Sequence, residues 1–151
     1  MREERLKTTL GLYIVVAHFA IILLIVAFWF SDYFLFEEMT TALALIIPMF
    51  ATYTTVIIRN IIDEMHPTQR ESKEVTVAFT FISFFIPSLF TFFIAALIIL
   101  KALNIGFDSF EQFKILLGLA ETIFALYVGQ IISKLFNKRN EVETPVMNSP
   151  K

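Results

Sequence analysis

Four apolar stretches, each long enough to cross a lipid bilayer, fix most of what this chain can become. A helical span needs roughly 20 residues to cross a hydrocarbon core of ~30 Å. Residues 8–30, 40–62, 75–103 and 113–136 all meet that length. The third exceeds it, so it is expected to tilt or to run past the interface. Backbone groups in hydrocarbon must bond within their own segment or within a closed barrel. The alternating segments of about ten residues that build a barrel are absent from the sequence, so each stretch reads as a helix. The expected fold is an all-α integral membrane protein, a four-helix transmembrane bundle.

The charges agree with this reading. A soluble domain carries about 25% charged residues spread along the chain; here they make up 17% and sit in a few short segments. The opening MREERLK leads directly into the first apolar run, which is long enough to be a retained span rather than a cleaved signal peptide. Ten of the 12 Lys and Arg residues fall on one side of the expected membrane: Arg2, Arg5 and Lys7, then Arg59, Arg70 and Lys73, then Lys134, Lys138, Arg139 and Lys151. Only Lys101 and Lys114 fall on the other, beside Asp32, Glu37, Glu38, Asp108 and Glu111. Basic residues are retained in the cytoplasm, so both termini and the middle loop are expected there, with the protein multi-pass in a bacterial inner (plasma) membrane.

Little chain remains outside the spans. Residues 1–7 form a short cytoplasmic N-terminus, and residues 137–151 are polar, carry two prolines and are expected to be disordered. No segment could fold as a soluble catalytic or sensory domain. A cytoplasmic protein partner would have to act through the Asp63–Glu74 loop or the tail. With no cysteine, the chain can form no disulfide, thiolate metal site or dithiol redox centre. HExxH, GxSxG, P-loop and paired acidic metal motifs are also missing. The sequence therefore gives no ground for an enzyme, a cofactor, a metal site or a nucleic-acid partner.

Within the spans the polar residues stand out. Glu121 lies about a third of the way along LLGLAETIFALYVGQIISKLF. A charge at such a depth costs roughly 2.5–3.5 kcal/mol on insertion scales, so Glu121 should face protein or a polar cavity. It is either a proton or cation site or an acid that joins helices. His18 on the first span is the first-choice partner, since the two depths agree to about 7 Å. The alternative is a His18 satisfied within the core that never meets Glu121. Thr52 and Tyr53 add polar groups on the second span, and Gln130 on the fourth, where it is expected to share the protein-facing side with Glu121. Pro48 and Pro87 lie mid-span in the central helices and are hinge candidates, because each removes a backbone hydrogen bond. Gly118 with Thr122, and Ala125 with Gly129, form small-xxx-small pairs suited to close helix packing within or between subunits.

In outline, four short helices with one embedded glutamate resemble the small multidrug resistance transporters. Those carry the glutamate in the first span, whereas here it is in the fourth and the first span has a histidine, so none of their functional residues carries over. In span count and minimal loops the chain also resembles the small multi-span effectors of bacterial phage-defence operons. The expected function is a homo-oligomer in the bilayer that alters membrane permeability, as a channel, pore or defence effector, under a cytoplasmic partner's control. One alternative is a non-conducting anchor or adaptor for soluble partners; another is a dimeric proton-coupled exporter using Glu121.

Overall fold

A computed structural model describes residues 3–64 and 76–136, with side chains for 5–58 and 76–131. Four helices account for nearly all of it: α1 (Glu3–Phe30), α2 (Phe36–Glu64), α3 (Val77–Ala102) and α4 (Phe110–Phe136). All four are long and apolar enough to cross a membrane. Four helices were expected and four are present among the described residues, and three of them start earlier than the apolar runs do. α1 begins at Glu3 because Glu, Arg and Leu are good helix formers whether or not they are apolar. α2 takes in Glu37 and Glu38, which favour the positive end of the helix dipole. The Asp63–Glu74 loop and the tail, where a partner was expected, lie outside the described residues apart from the last two residues of α2.

The helix ends have identifiable causes. α1 stops at Asp32, which adopts the left-handed conformation (φ 61°). The N–H groups of Asp32 and Tyr33 donate to the carbonyls of Trp29 and Phe28. The Tyr33 ring packs edge-on against Phe28 at 5.7 Å. This is a Schellman ending, with the hydrophobic contact that accompanies it. α3 ends the same way at Asn104 (φ 53°), where Asn104 and Ile105 donate to Lys101 and Leu100. At the start of α4, Ser109 Oγ accepts from the Gln112 N–H, and Gln112 Oε1 accepts from the Asp108 N–H. These contacts resemble the two halves of a capping box.

Each helix buries one seam. On α1 it is Leu6, Leu10, Ile14, His18, Ile21 and Ile25; on α4 it is Phe113, Leu117, Ala120, Phe124, Val128 and Ile131. The steps are of three or four residues, which keeps each seam on one face of its helix as in helix bundles. α1 packs against α2 and α3, and α4 against the same two, so α1 stands diagonally across from α4 and α2 from α3. Two antiparallel hairpins, α1–α2 and α3–α4, therefore lie side by side. The outward face is as apolar as the core, with Phe19, Leu23, Phe81, Phe85, Phe92 and Leu126 all exposed. Both prolines lie within continuous helices, Pro48 on the outer surface and Pro87 fully buried.

Candidate functional site

The apolar core is two clusters rather than one. The first gathers Ile21, Ile25, Ile46, Ile98 and Leu117 with their neighbours; the second gathers Ile14, Tyr53, Phe124 and Val128 with theirs. His18 falls between them on α1, and Glu121 falls between them on α4. His18 is 3% exposed and Glu121 2%. Ser83 and Tyr53 are buried from α3 and α2, so each helix sends a buried polar side chain into the core.

Few of these groups are satisfied. His18 Nδ1–H donates to the Ile14 carbonyl of its own helix at 3.0 Å, and its Nε2 has no partner among the described residues. Both carboxyl oxygens of Glu121, the Tyr53 hydroxyl, the Thr54 hydroxyl and the Ser83 hydroxyl also lack hydrogen-bond partners among the described residues. Buried polar groups of native proteins are nearly all bonded, and each exception calls for an explanation. The hydrogen bond expected between His18 and Glu121 is not made. Their helices are diagonal rather than adjacent, and the Phe124 ring stacks on His18 at 5.1 Å. Phe50 stacks on His18 at 5.9 Å, and Tyr53 meets both His18 and Phe124 edge-on. The structure thus brings His18 and Tyr53 together in an aromatic cluster with Phe50 and Phe124, and Glu121 lies about one turn from Phe124 on α4.

The other expected polar residues lie elsewhere. Gln130 is exposed on the outer surface. It is nine residues beyond Glu121, two and a half helical turns, and so points the opposite way. Thr52 is also exposed, and its hydroxyl donates to the Pro48 carbonyl at 2.9 Å. Gly118 and Ala125 are half-buried and Gly129 exposed, with open space where a β-carbon would stand on either glycine. Two hydroxyls link helices beside the core: Tyr13 donates to Ser88 at 2.8 Å, and Tyr127 to the Ile82 carbonyl at 3.2 Å.

A groove of about 470 Å³ lies between α2 and α4, with Glu121 and Thr122 among its lining residues. Leu45 and Met49 form one wall, and Ile115 and Leu119 the other. Gly118 leaves space along its floor, and Lys114 stands at the opposite end from Glu121.

A second buried ionic group was not expected. Lys101 Nζ lies 3.0 Å from Glu38 Oε1, with side chains 10% and 15% exposed. The ammonium sits 5.7 Å from the Phe34 ring and 5.8 Å from that of Phe110. Glu38 also accepts the Leu35 N–H at the start of α2 through its other oxygen. The pair ties the diagonal helices α2 and α3 together at one end of the bundle. The sequence held a signal, since Lys101 falls inside the third apolar run rather than beyond it. No protein-family model, curated protein or solved structure matches this chain.

Proposed function

We propose that the chain is an integral membrane protein, with both termini cytoplasmic in a bacterial inner membrane, that assembles as a homo-oligomer and alters the permeability of that membrane. Glu121 is the proton or cation site of this reading, His18 and Tyr53 are its neighbours, and a cytoplasmic partner is the trigger. The observation that carries it is the pair of buried polar side chains, His18 and Glu121, between two apolar clusters, with neither Glu121 oxygen bonded among the described residues. Ionisable groups at such depth are costly, and where they occur they most often mark ion pathways and proton relays. The test is proton flux into vesicles containing the purified protein, followed with an entrapped pH-sensitive dye under an imposed potential. Flux in the wild type should fall at least tenfold in Glu121→Gln. A wild type that conducts neither protons nor small cations, alone or with its partner, would leave the non-conducting anchor. The groove that Glu121 helps to line favours a second reading, the dimeric proton-coupled exporter.

The orientation has its own test. Cysteines at Ser31 and Ser109, which flank the bundle end carrying Lys101, are expected to react with an impermeant thiol reagent applied outside cells. Cysteines at Ser72 and Ser149 are not. Labelling of Ser72 from outside would reverse the arrangement.

A further inference from the structure

We propose that the groove between α2 and α4 seats one phospholipid of the outer leaflet, of the phosphatidylethanolamine class, with its headgroup on the Lys114–Glu111 pair and an acyl chain along Leu45, Met49, Ile115 and Leu119. This rests on the membrane placement proposed above and not on the role of Glu121. Three observations choose the occupant. The first is the wall. Leu45, Met49, Ile115 and Leu119 are apolar, the last two are exposed at the rim, and Gly118 leaves room on the floor. The polar residues of the inner end ask nothing of the groove: the Thr122 hydroxyl donates to the Gly118 carbonyl at 2.7 Å, and both Glu121 oxygens are buried. A hydrocarbon chain therefore fits. The second is the length. Lys114 is the fifth residue of α4, and Thr122 lies eight residues further on, about 12 Å along the helix. Half of a ~30 Å hydrocarbon core is about 15 Å, so the groove runs most of the way through one leaflet from a cation at its edge.

The third is the charge at the outer end, which chooses the headgroup. Lys114 Nζ lies 2.6 Å from Glu111 Oε2, with side chains 38% and 63% exposed. A pair this open is weak and does not close either group to a further partner. The ammonium has three donors, and Glu111 takes one of them. A headgroup phosphate accepts from the others, and the ethanolamine ammonium donates to Glu111. The two charges of the lipid then meet the two of the protein in opposite sense. An anionic headgroup satisfies Lys114 equally well. It also brings a net negative charge to an end of the bundle that already carries Asp32, Glu37, Asp108 and Glu111 against Lys114, since Glu38 and Lys101 neutralise each other. Phosphatidylcholine has the same two charges but no N–H donor, so Glu111 gains no charge-assisted hydrogen bond from it.

The experiment is native mass spectrometry of the protein released from nanodiscs holding equal parts of dioleoyl phosphatidylethanolamine, phosphatidylcholine and phosphatidylglycerol. Wild type is expected to retain one phosphatidylethanolamine per chain, with each of the other two at least tenfold less abundant. Glu111→Gln, an exposed change that leaves the fold alone, should raise phosphatidylglycerol to the level of phosphatidylethanolamine. Lys114→Gln should lower retention of all three at least tenfold. So should Gly118→Leu, which keeps both charges and fills the groove where a β-carbon meets nothing within 4 Å. Retained lipids in the proportions of the disc would mean ordinary lipid contact only and would overturn the proposal. A preference for phosphatidylglycerol or phosphatidylcholine in wild type, or full retention in Gly118→Leu, would also overturn it. So would wild type that holds no lipid while Gly118→Leu forms smaller assemblies by light scattering, which would give the groove to a second copy of the chain. Lipid retention and proton flux are separate readouts. A chain that conducts nothing can still hold its lipid, and flux without a retained lipid removes this site alone.

Discussion

Lys101→Ala is expected to destabilise the bundle by about 3 kcal/mol, near the lower end of what removing one partner of a buried ion pair costs. Glu38 would be left 15% exposed without its cation, and the Phe34 and Phe110 rings would lose the ammonium between them. Lys101→Met fills the volume but still strands the Glu38 charge, so it should recover little. Pairing Lys101→Met with Glu38→Gln removes both charges and keeps an acceptor for the Leu35 N–H, and should restore most of the loss. Unfolding titrations in mixed micelles with increasing SDS would measure all three. A single Lys101→Ala variant as stable as wild type would mean that the pair holds nothing together.

Glu121→Met should act in the opposite direction on stability. Burying a carboxyl group without hydrogen bonds costs about 1–3 kcal/mol relative to a denatured chain in which it reaches water. Methionine is close in length and fits among Phe124, Leu117 and Ala120 without a polar atom to satisfy. The variant is expected to gain about 1–3 kcal/mol in the same SDS titration and to lose proton or cation flux altogether. A loss of stability on Glu121→Met would identify the carboxyl group as a structural joint whose bonds form in the native state, and would remove the ground for calling it a site. This is the stability–function trade expected where a group is kept for its chemistry.

How far the sequence could be read follows from the same physics. The helices were legible because length and apolarity alone demand them, and the burial of Glu121 followed from the cost of exposing an acid. The inward face of each helix was harder to see. In a chain apolar all round, periodicity of hydrophobic residues no longer separates core from surface. Polarity alone puts Gln130 on the face of Glu121, whereas a count of nine residues places it opposite. Pairings between helices were less legible still. Depth along the membrane put His18 level with Glu121, but depth does not say which helices are neighbours, and these two are diagonal. The left-handed stops at Asp32 and Asn104 could have been anticipated, since Asp and Asn are the residues besides glycine that adopt this conformation most readily.

The side-by-side hairpins carry a consequence for assembly order. His18 and Tyr53 belong to the α1–α2 hairpin, while Ser83 and Glu121 belong to α3–α4. In the membrane proposed above, each hairpin would insert as a separate step and bring its own buried polar groups into hydrocarbon. The cost of carrying the acid and the imidazole is then met before the four-helix body exists. Docking of the hairpins, through the parallel contacts α1–α3 and α2–α4, is the event that withdraws both groups from lipid. The hairpins therefore meet along a seam whose buried polar groups make no bonds across it among the described residues, and that seam is the one along which they could most readily part.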